Sequence, residues 1–193
     1  NVTDVSFYIT NGTTGTSQIS VGPLVGWKTT ANGVIEFCSA SGDIYTSGAK
    51  QGVGGLVGNA HSSTIKNSIS YTNIYASGNE AYVGGIVGLT KKNGVNIESC
   101  VYAGNALISS GTGSSVGAVA GKSLDKGSVN PSNTYFDNGK VNVSAIGDKN
   151  NVVGVTGTND LNTESVVCVL NGGKWNDNTK ECSVTTENWS VGL

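Results

Sequence analysis

The 193-residue sequence contains no arginine and no methionine, and only 12% of its residues are charged. Its cations are 11 lysines against 13 acidic residues, and the closest approach to a basic run is Lys91-Lys92. Arginine supplies bidentate contacts to phosphate, and a nucleic-acid surface needs clustered cations. The composition therefore argues against a nucleic-acid partner.

Long apolar runs are also missing. No stretch approaches the roughly 20 apolar residues that span a bilayer as a helix, so we expect no membrane insertion within this chain. No helical period of apolar residues is sustained over three turns. Glycine (29 residues), asparagine (22), serine (23) and threonine (19) dominate instead. With valine and isoleucine as the main apolar residues, this composition favours short strands joined by turns, and the low charge favours an extracellular protein.

A glycine-rich hexapeptide recurs along the chain. VGGLVG at Val53–Gly58 returns as VGGIVG at Val83–Gly88, and related boxes stand at 21–26, 116–121 and, in degenerate form, 152–157. Their starts are separated by 32, 30, 33 and 36 residues. Each repeat reads as a β-branched strand, a Gly/Asn turn, an Ile-Tyr strand, a Ser-Gly turn and then the box. One coil per repeat predicts an all-β parallel β-solenoid of about four to five coils.

Equivalent residues in a solenoid stack at the inter-strand spacing of about 4.8 Å. The repeat alignment predicts three apolar ladders: Val53, Val83 and Val116; Leu56, Ile86 and Val119; and Ile35, Ile65 and Ile97. We expect the box glycines to permit positive φ and close backbone approach at tight corners. These structural glycines are Gly54, Gly55, Gly58, Gly84, Gly85, Gly88, Gly117 and Gly121.

The boxes VGGLVG and VGGIVG, each preceded by an I-x-N/S-S/C segment and a Gly/Asn turn, resemble the GLUG motif of bacterial surface proteins. Residues 34–121 carry the resemblance well, and residues 4–33 and 128–160 carry it loosely. The resemblance implies a right-handed parallel β-helix in a secreted or surface-anchored protein, often an adhesin or the accessory region of a large extracellular enzyme. It implies no catalytic residues.

The two ends of the chain depart from the repeat. We interpret residues 1–160 as the solenoid and residues 161–193 as a C-terminal cap, because an open coil needs covering. Val166–Leu170 is expected to form a strand or short helix, with Trp175 or Trp189 over the last coil. The N-terminal stretch VTDVSFYIT has one charge and no proline, so we expect it to pair with a neighbouring copy.

The four cysteines divide into two kinds. Cys168 and Cys182 are separated by a turn-rich stretch that can bring them together, and we predict a disulfide between them. Cys38 and Cys100 occupy the same repeat position two coils apart, about 9.6 Å from each other, which exceeds the reach of a disulfide. We expect both to be small core residues that react only after unfolding.

The sequence specifies no catalytic or metal site. His61, the only histidine, lies in a turn that we expect to be solvated, with no orienting carboxylate or nucleophile. Polysaccharide cleavage needs a stacked acidic pair, whereas Asp43 aligns with Asn73 and Asn105, and Glu36 with Lys66. With no C-x-x-C pair, metal binding is also not expected. We therefore predict no catalytic residues, no cofactor and no metal, and a protein that is not an enzyme.

The remaining candidate ligand face is aromatic. Tyr45 and Tyr75 are stacked equivalents, with Ile108 in their place in the next coil, and the repeats also contain Tyr71, Tyr82 and Tyr102. Such a ladder can bind sugars or protein, although ordinary β-sheet surface explains it equally well. Candidate N-glycosylation sequons stand at Asn1, Asn11, Asn142 and Asn188.

The function predicted from these features is a non-enzymatic extracellular structural or adhesive protein, a rigid rod that presents a binding surface. Its expected partners are other copies of itself, or a host or cell-surface protein or glycan. One alternative is a fibre subunit that assembles by β-augmentation. The other is a carbohydrate-binding module that uses the tyrosines.

Overall fold

A computed structural model describes residues 2–4, 6–9, 18–29, 32–91, 94–124, 129–149, 152–183 and 189–190. Every pairing between its named strands is parallel, except for one short hairpin near the C-terminus. Among the described residues, no helix has the length and apolar character needed to cross a membrane.

The strands follow one another in four coils, preceded by β1 (Phe7–Ile9). The first coil contains β2 (Ile19–Val21), β3 (Val25–Lys28), β4 (Gly33–Glu36) and β5 (Ser39–Thr46). The second contains β6 (Gln51–Gly54), β7 (Val57–Ala60), β8 (Ser63–Lys66) and β9 (Ile69–Ala76). The third contains β10 (Ala81–Gly84), β11 (Val87–Thr90), β12 (Val95–Glu98), β13 (Val101–Tyr102) and β14 (Leu107–Ser109).

The fourth coil contains β15 (Ser115–Gly117), β16 (Ala120–Ser123), β17 (Val129–Ser132) and β18 (Thr134–Asp137). The chain then forms β19 (Val155–Thr158), the helix α1 (Glu164–Leu170), and a hairpin of β20 (Lys174–Asn176) and β21 (Glu181–Ser183).

Equivalent strands stack into four sheets that run along the rod. The first box sheet is β2-β6-β10-β15, the second box sheet is β3-β7-β11-β16, and the third sheet is β4-β8-β12-β17. The long sheet is β1-β5-β9-β13-β18-β19, with β14 also paired to β9. The chain makes three complete turns between β2 and β15, and β15 to β18 form a fourth, less regular one. The predicted all-β solenoid is confirmed.

The three predicted ladders form the core. Val83 pairs with Val53 and Val116, and Ile65 pairs with Ile35 and Ile97. Leu56 donates its backbone N–H to Ile86 at 3.0 Å, and Ile86 donates to Val119 at 3.1 Å. All these side chains are fully buried except those of Ile35 and Val116, which are partly buried. Apolar side chains of similar shape thus lie above one another, and each coil completes the burial of its neighbour.

The box glycines let the two box sheets touch backbone to backbone. A Cβ on Gly54 would lie 1.9 Å from the Val57 carbonyl oxygen and 2.6 Å from the Gly88 nitrogen. A Cβ on Gly84 would lie equally close to the Val87 carbonyl oxygen of its own coil and to the Gly121 nitrogen of the next coil. We call this contact the glycine seam. None of the eight predicted structural glycines has a positive φ, so close approach is confirmed and the positive-φ explanation is wrong.

Left-handed backbone, with positive φ, occurs instead at corners that are occupied mostly by residues other than glycine. Phe37, Asn67, Ser99 and Asn133 have φ of 52°, 48°, 49° and 46°, at the same corner of successive coils. A second corner has Lys50 and Glu80, with Gly113 in the third coil, and a third has Asn32 and Ser62, followed by Gly94. The fold therefore repeats a backbone conformation at positions where the residue type varies.

The C-terminal end of the rod is covered by residues 141–149 and 152–158. Ala118 and Val119 donate backbone N–H groups to the carbonyls of Ser144 and Ala145, at 2.8 and 2.9 Å. Because this segment occupies the edge beyond the fourth box, the degenerate fifth box cannot stack there. Its Val155–Gly157 portion instead belongs to β19, which pairs with β18 in the long sheet.

The tail lies on the side of the rod, which corrects the prediction of a cap over the last coil. Ile69, Val101 and Tyr135 occupy equivalent outward positions in coils two, three and four. They form one buried cluster with Ala103 and with residues of the tail, namely Leu161, Val166 and Leu170, and Trp189 packs against it. Trp175 lies in β20. Of the strand or short helix expected at Val166–Leu170, the structure shows the helix, as part of α1, whose N-cap Thr163 accepts a hydrogen bond from the Val166 N–H.

The N-terminal strand pairs within its own chain. β1 lies parallel to β5, with Phe7 opposite Ile44 and Tyr8 opposite Tyr45. Before it, Val2 donates its N–H to the Ser39 carbonyl at 3.0 Å. β1 therefore adds one strand to the long sheet through one of its edges, and the expected pairing with a neighbouring copy stays a prediction for its other edge.

Candidate binding face

The outer surface of the long sheet carries a row of stacked tyrosines. Tyr8, Tyr45 and Tyr75 occupy equivalent positions in β1, β5 and β9, and Ile108 of β14 continues the row. Ring centroids are 5.0 Å apart between Tyr8 and Tyr45 and 4.9 Å apart between Tyr45 and Tyr75, with planes within 10° of parallel. These distances match the strand spacing, so parallel register alone stacks the rings. We call this row the tyrosine ladder.

Tyr8 was not found by the repeat alignment. It lies in a strand that precedes the first box, so no glycine motif marks its register. The signal available in the sequence is Phe7-Tyr8, an apolar residue followed by tyrosine, which matches Ile44-Tyr45 and Ile74-Tyr75.

Two polar rows flank the ladder. Ser47, Ser77 and Ser110 lie on one side and, together with the tyrosines and Ile108, line an open cleft of about 310 Å³. Asp43 and Asn73 lie on the other side, where the Asn73 side-chain amide donates to the Asp43 carboxylate at 2.8 Å. Asn105 donates its backbone N–H to the Asn73 side-chain oxygen, also at 2.8 Å. The face is therefore an apolar strip between hydroxyl and amide rows.

The electrostatics of the face are mild at neutral pH. Partial burial raises the pKa of the Tyr45 hydroxyl, and the neighbouring Asp43 carboxylate raises it further. Because the ordinary phenol pKa is already near 10, Tyr45 stays protonated and can donate to Asp43, at 3.5 Å. The face thus offers hydrogen-bond donors and one carboxylate beside the rings.

Stacking limits which ring surfaces a ligand can reach. Tyr45 is held between Tyr8 and Tyr75 at centroid distances of 5.0 and 4.9 Å. A sugar ring needs about 3.5–4 Å of separation on each side, so none fits between these rings. Tyr8 is the end of the row, and 69% of it is exposed. A ligand therefore meets ring edges and hydroxyls along the ladder and one open ring face at Tyr8.

The other tyrosines of the repeats lie outside the ladder. Tyr71 is 38% exposed on the same surface, opposite Ser41. Tyr82 is buried beneath the Lys122 ammonium, 4.6 Å from its ring centroid. Tyr102 is fully buried, its hydroxyl lies 3.0 Å from the Thr72 and Ala106 carbonyls, and burial raises its pKa. Tyr82 and Tyr102 are thus core residues.

The remaining polar residues singled out in the sequence do not converge on one site. His61 is half-buried, with its ring edge-on to Trp27 at 6.0 Å, which corrects the expected solvated turn. Glu36 and Lys66, which the repeat alignment places at equivalent positions, form an ion pair at 2.9 Å. Within the described ranges, no three His, Cys, Asp or Glu side chains lie together as candidate metal ligands. Asn142 is exposed, and the sequons at Asn1, Asn11 and Asn188 lie outside the described residues.

The cysteines follow the predicted division. Cys168 of α1 and Cys182 of β21 form the predicted disulfide, with Cα atoms 5.6 Å apart, and join the helix to the hairpin. Cys38 and Cys100 are free thiols. Cys100 is fully buried as expected, whereas Cys38 is partly exposed, which corrects the prediction that both thiols are core residues.

We expect iodoacetamide to alkylate Cys38 in the native protein and Cys100 only after unfolding. Burial raises the pKa of the Cys100 thiol to about 12, so almost no thiolate forms at mildly alkaline pH. Mass spectrometry of a labelling time course measures both rates. In Cys38→Ser, which copies Ser68 of the next coil, native labelling should nearly vanish. Equal native rates at the two thiols would contradict the burial of Cys100.

Comparison with protein-family models, curated protein sequences and solved structures finds no match for this chain.

Proposed function

We propose that this protein is a non-enzymatic extracellular structural or adhesive protein, whose rigid solenoid presents the tyrosine ladder to a cell-surface protein. The observation that carries the proposal is the ladder itself, an apolar strip flanked by hydroxyls and amides on a sheet fixed by its neighbours in every coil. Exposed aromatic surface on a rigid element is typical of interaction sites.

Three further features support an extracellular setting. The chain has a disulfide between Cys168 and Cys182, and such bonds persist mainly in oxidising compartments. The boxes resemble the GLUG motif of bacterial surface proteins, which is consistent with this location. The sparse charge and abundant Ser, Thr and Asn also agree with it.

Adhesion of purified protein to immobilised cell surfaces tests the proposal. The double variant Tyr45→Ser/Tyr75→Ser removes two rings of the ladder without touching the core, and it should reduce adhesion at least tenfold. Tyr71→Ser is the matched control, because it removes an exposed tyrosine from the same surface outside the ladder. Unchanged adhesion of the double variant, with its circular dichroism intact, would contradict the proposal.

Carbohydrate binding is the second candidate, favoured by the open ring face of Tyr8 and the neighbouring serine hydroxyls. Sugars stack on exposed aromatic faces, and here only one such face is open. A glycan array distinguishes the two functions, since a sugar ligand should lose binding in Tyr8→Ala and a protein ligand should give no glycan signal.

A further inference from the structure

Among the described residues, no segment lies over the N-terminal end of the rod, in contrast to the covered C-terminal end. β1, β2, β3 and β4 are the terminal strands of the four sheets on this side. On the other side, residues 144–147 bond to the edge of the fourth box, and the Thr134 N–H bonds to the Gly154 carbonyl. The two ends are therefore not complementary to each other.

The backbone of Tyr8 faces the open edge. Thr46 accepts a hydrogen bond from the Ser77 N–H at 2.8 Å, so its carbonyl points to the second coil. Backbone N–H and C=O groups of successive strand residues point to opposite neighbouring strands. The N–H and C=O of Tyr45 therefore point to β1. In a parallel ladder Tyr45 bonds to the residues on either side of its partner, which are Phe7 and Ile9. The N–H and C=O of Tyr8 are left pointing outward.

Four of the eight large apolar side chains that are exposed among the described residues lie near this end. Tyr8, Trp27, Val34 and Phe37 are exposed by 69, 56, 53 and 59%, and all lie in β1 or the first coil. The described strand Phe7–Ile9 has no charge and no proline, the features that normally protect an edge strand from pairing. The N-terminal end therefore combines an edge strand whose Tyr8 backbone groups point outward with exposed apolar side chains.

We propose that two copies of this protein pair through their N-terminal ends, with β1 antiparallel to β1 of the second copy and a two-fold axis beside Tyr8. A two-fold interface needs one self-complementary patch. Antiparallel pairing centred on Tyr8 meets this need, because the two Tyr8 residues exchange both backbone hydrogen bonds. Phe7 of each copy then lies opposite Ile9 of the other.

The pairing also continues the tyrosine ladder. Residues directly opposite in an antiparallel pair project to the same face, so the open ring face of Tyr8 meets the Tyr8 ring of the second copy. The long sheets join, and three tyrosines from each copy form one row. Because the outer ends of the pair are the covered C-terminal ends, assembly stops at a dimer. This inference does not rest on the adhesive function.

Disulfide trapping tests the register directly. Tyr8→Cys in a Cys38→Ser background should give a covalent dimer on mild oxidation, since the paired Cα atoms lie about 5.5 Å apart. Tyr75→Cys in the same background is the control, because its partner lies five strand spacings away, about 24 Å. Failure of Tyr8→Cys to cross-link, or equal cross-linking of the control, would overturn the proposal.

Sedimentation equilibrium tests the pairing without cysteine. The parent chain and Tyr8→Phe should both show a monomer–dimer equilibrium. Tyr8→Pro removes both the outward N–H and the aromatic ring, and it should be monomeric, with unchanged circular dichroism. A parent chain that stays monomeric would refute the dimer. The same holds if it stays monomeric and binds an extended peptide along β1. Oligomers that grow beyond two with concentration would refute it in favour of head-to-tail fibres.

Discussion

Replacing Gly88 with alanine is expected to lower the free energy of unfolding by roughly 3 kcal/mol or more. A Cβ at this position would lie 2.2 Å from the Val53 nitrogen and 2.5 Å from the Gly52 carbonyl carbon. Both are backbone atoms of the preceding coil, so they can move only if the two box sheets separate. Thermal unfolding followed by circular dichroism should show a melting temperature lower by about 10 °C.

Gly26→Ala is the matched control for this prediction. Gly26 is the last glycine of the first box, as Gly88 is of the third, but a Cβ there would meet only the Ser20 carbonyl oxygen, at 3.2 Å. We expect its effect to stay within about 1 kcal/mol, as for an ordinary surface substitution. Equal losses at Gly26 and Gly88 would show that close packing between coils is not the reason for the glycines.

Gly85→Val should also destabilise the protein by several kcal/mol, because the new side chain disturbs packing in the core and not the glycine seam. A Cβ on Gly85 would lie 2.2 Å from the Ala118 carbonyl oxygen and 2.4 Å from the ring of buried Tyr102. At the equivalent Gly55, a Cβ would lie 2.2 Å from the Ser70 hydroxyl oxygen and 2.0 Å from the Gly85 carbonyl oxygen. A melting shift of only a degree or two in Gly85→Val would contradict this packing.

Ending the chain after Asp160 has the second large expected effect. The deletion uncovers Ile69, Val101 and Tyr135 on the outside of three coils, and burial of each such side chain contributes about 1.5–3 kcal/mol. We expect the shortened chain to keep its β-rich circular dichroism, to unfold at lower urea concentration, and to aggregate through the exposed strip.

Hydrogen exchange distinguishes a tail that stabilises the side of the rod, which we call lateral support, from a tail that caps its end. Loss of lateral support should reduce amide protection in the long sheet across coils two, three and four, whereas loss of an end cap would affect the fourth coil alone. The double variant Cys168→Ser/Cys182→Ser serves as control, since it keeps α1 and its apolar contacts. Protection lost only in coil four would restore the end-cap interpretation.

The solenoid and its core were predictable because they depend on residue types that return at a fixed distance. Val53 and Val83 stand 30 residues apart, as do Ile35 and Ile65, and parallel stacking requires that equivalence. Tyr45 and Tyr75 were found by the same reasoning. The disulfide was predictable from a short turn-rich separation between Cys168 and Cys182.

Features outside the repeat were not predictable in this way. Covering the last coil requires open backbone groups to find partners, and the irregular residues 144–147 meet this need without any motif. The side on which the tail packs depends on Ile69, Val101 and Tyr135, whose outward direction follows from strand register and not from composition. Tyr8 joins the ladder through one tertiary pairing, which no periodicity specifies.

The equivalence of the inner coils has a consequence for the length of the molecule. Coil two contacts coils one and three through matching ladders, so Val53 meets Val21 on one side and Val83 on the other. A duplicated copy of residues 51–80, placed in tandem, would find the same neighbours on both sides. Each such duplication would lengthen the rod by about 4.8 Å and leave both ends as they are. Recombination between repeats can therefore change the length of the rod, and with it the distance the protein spans, without altering either end.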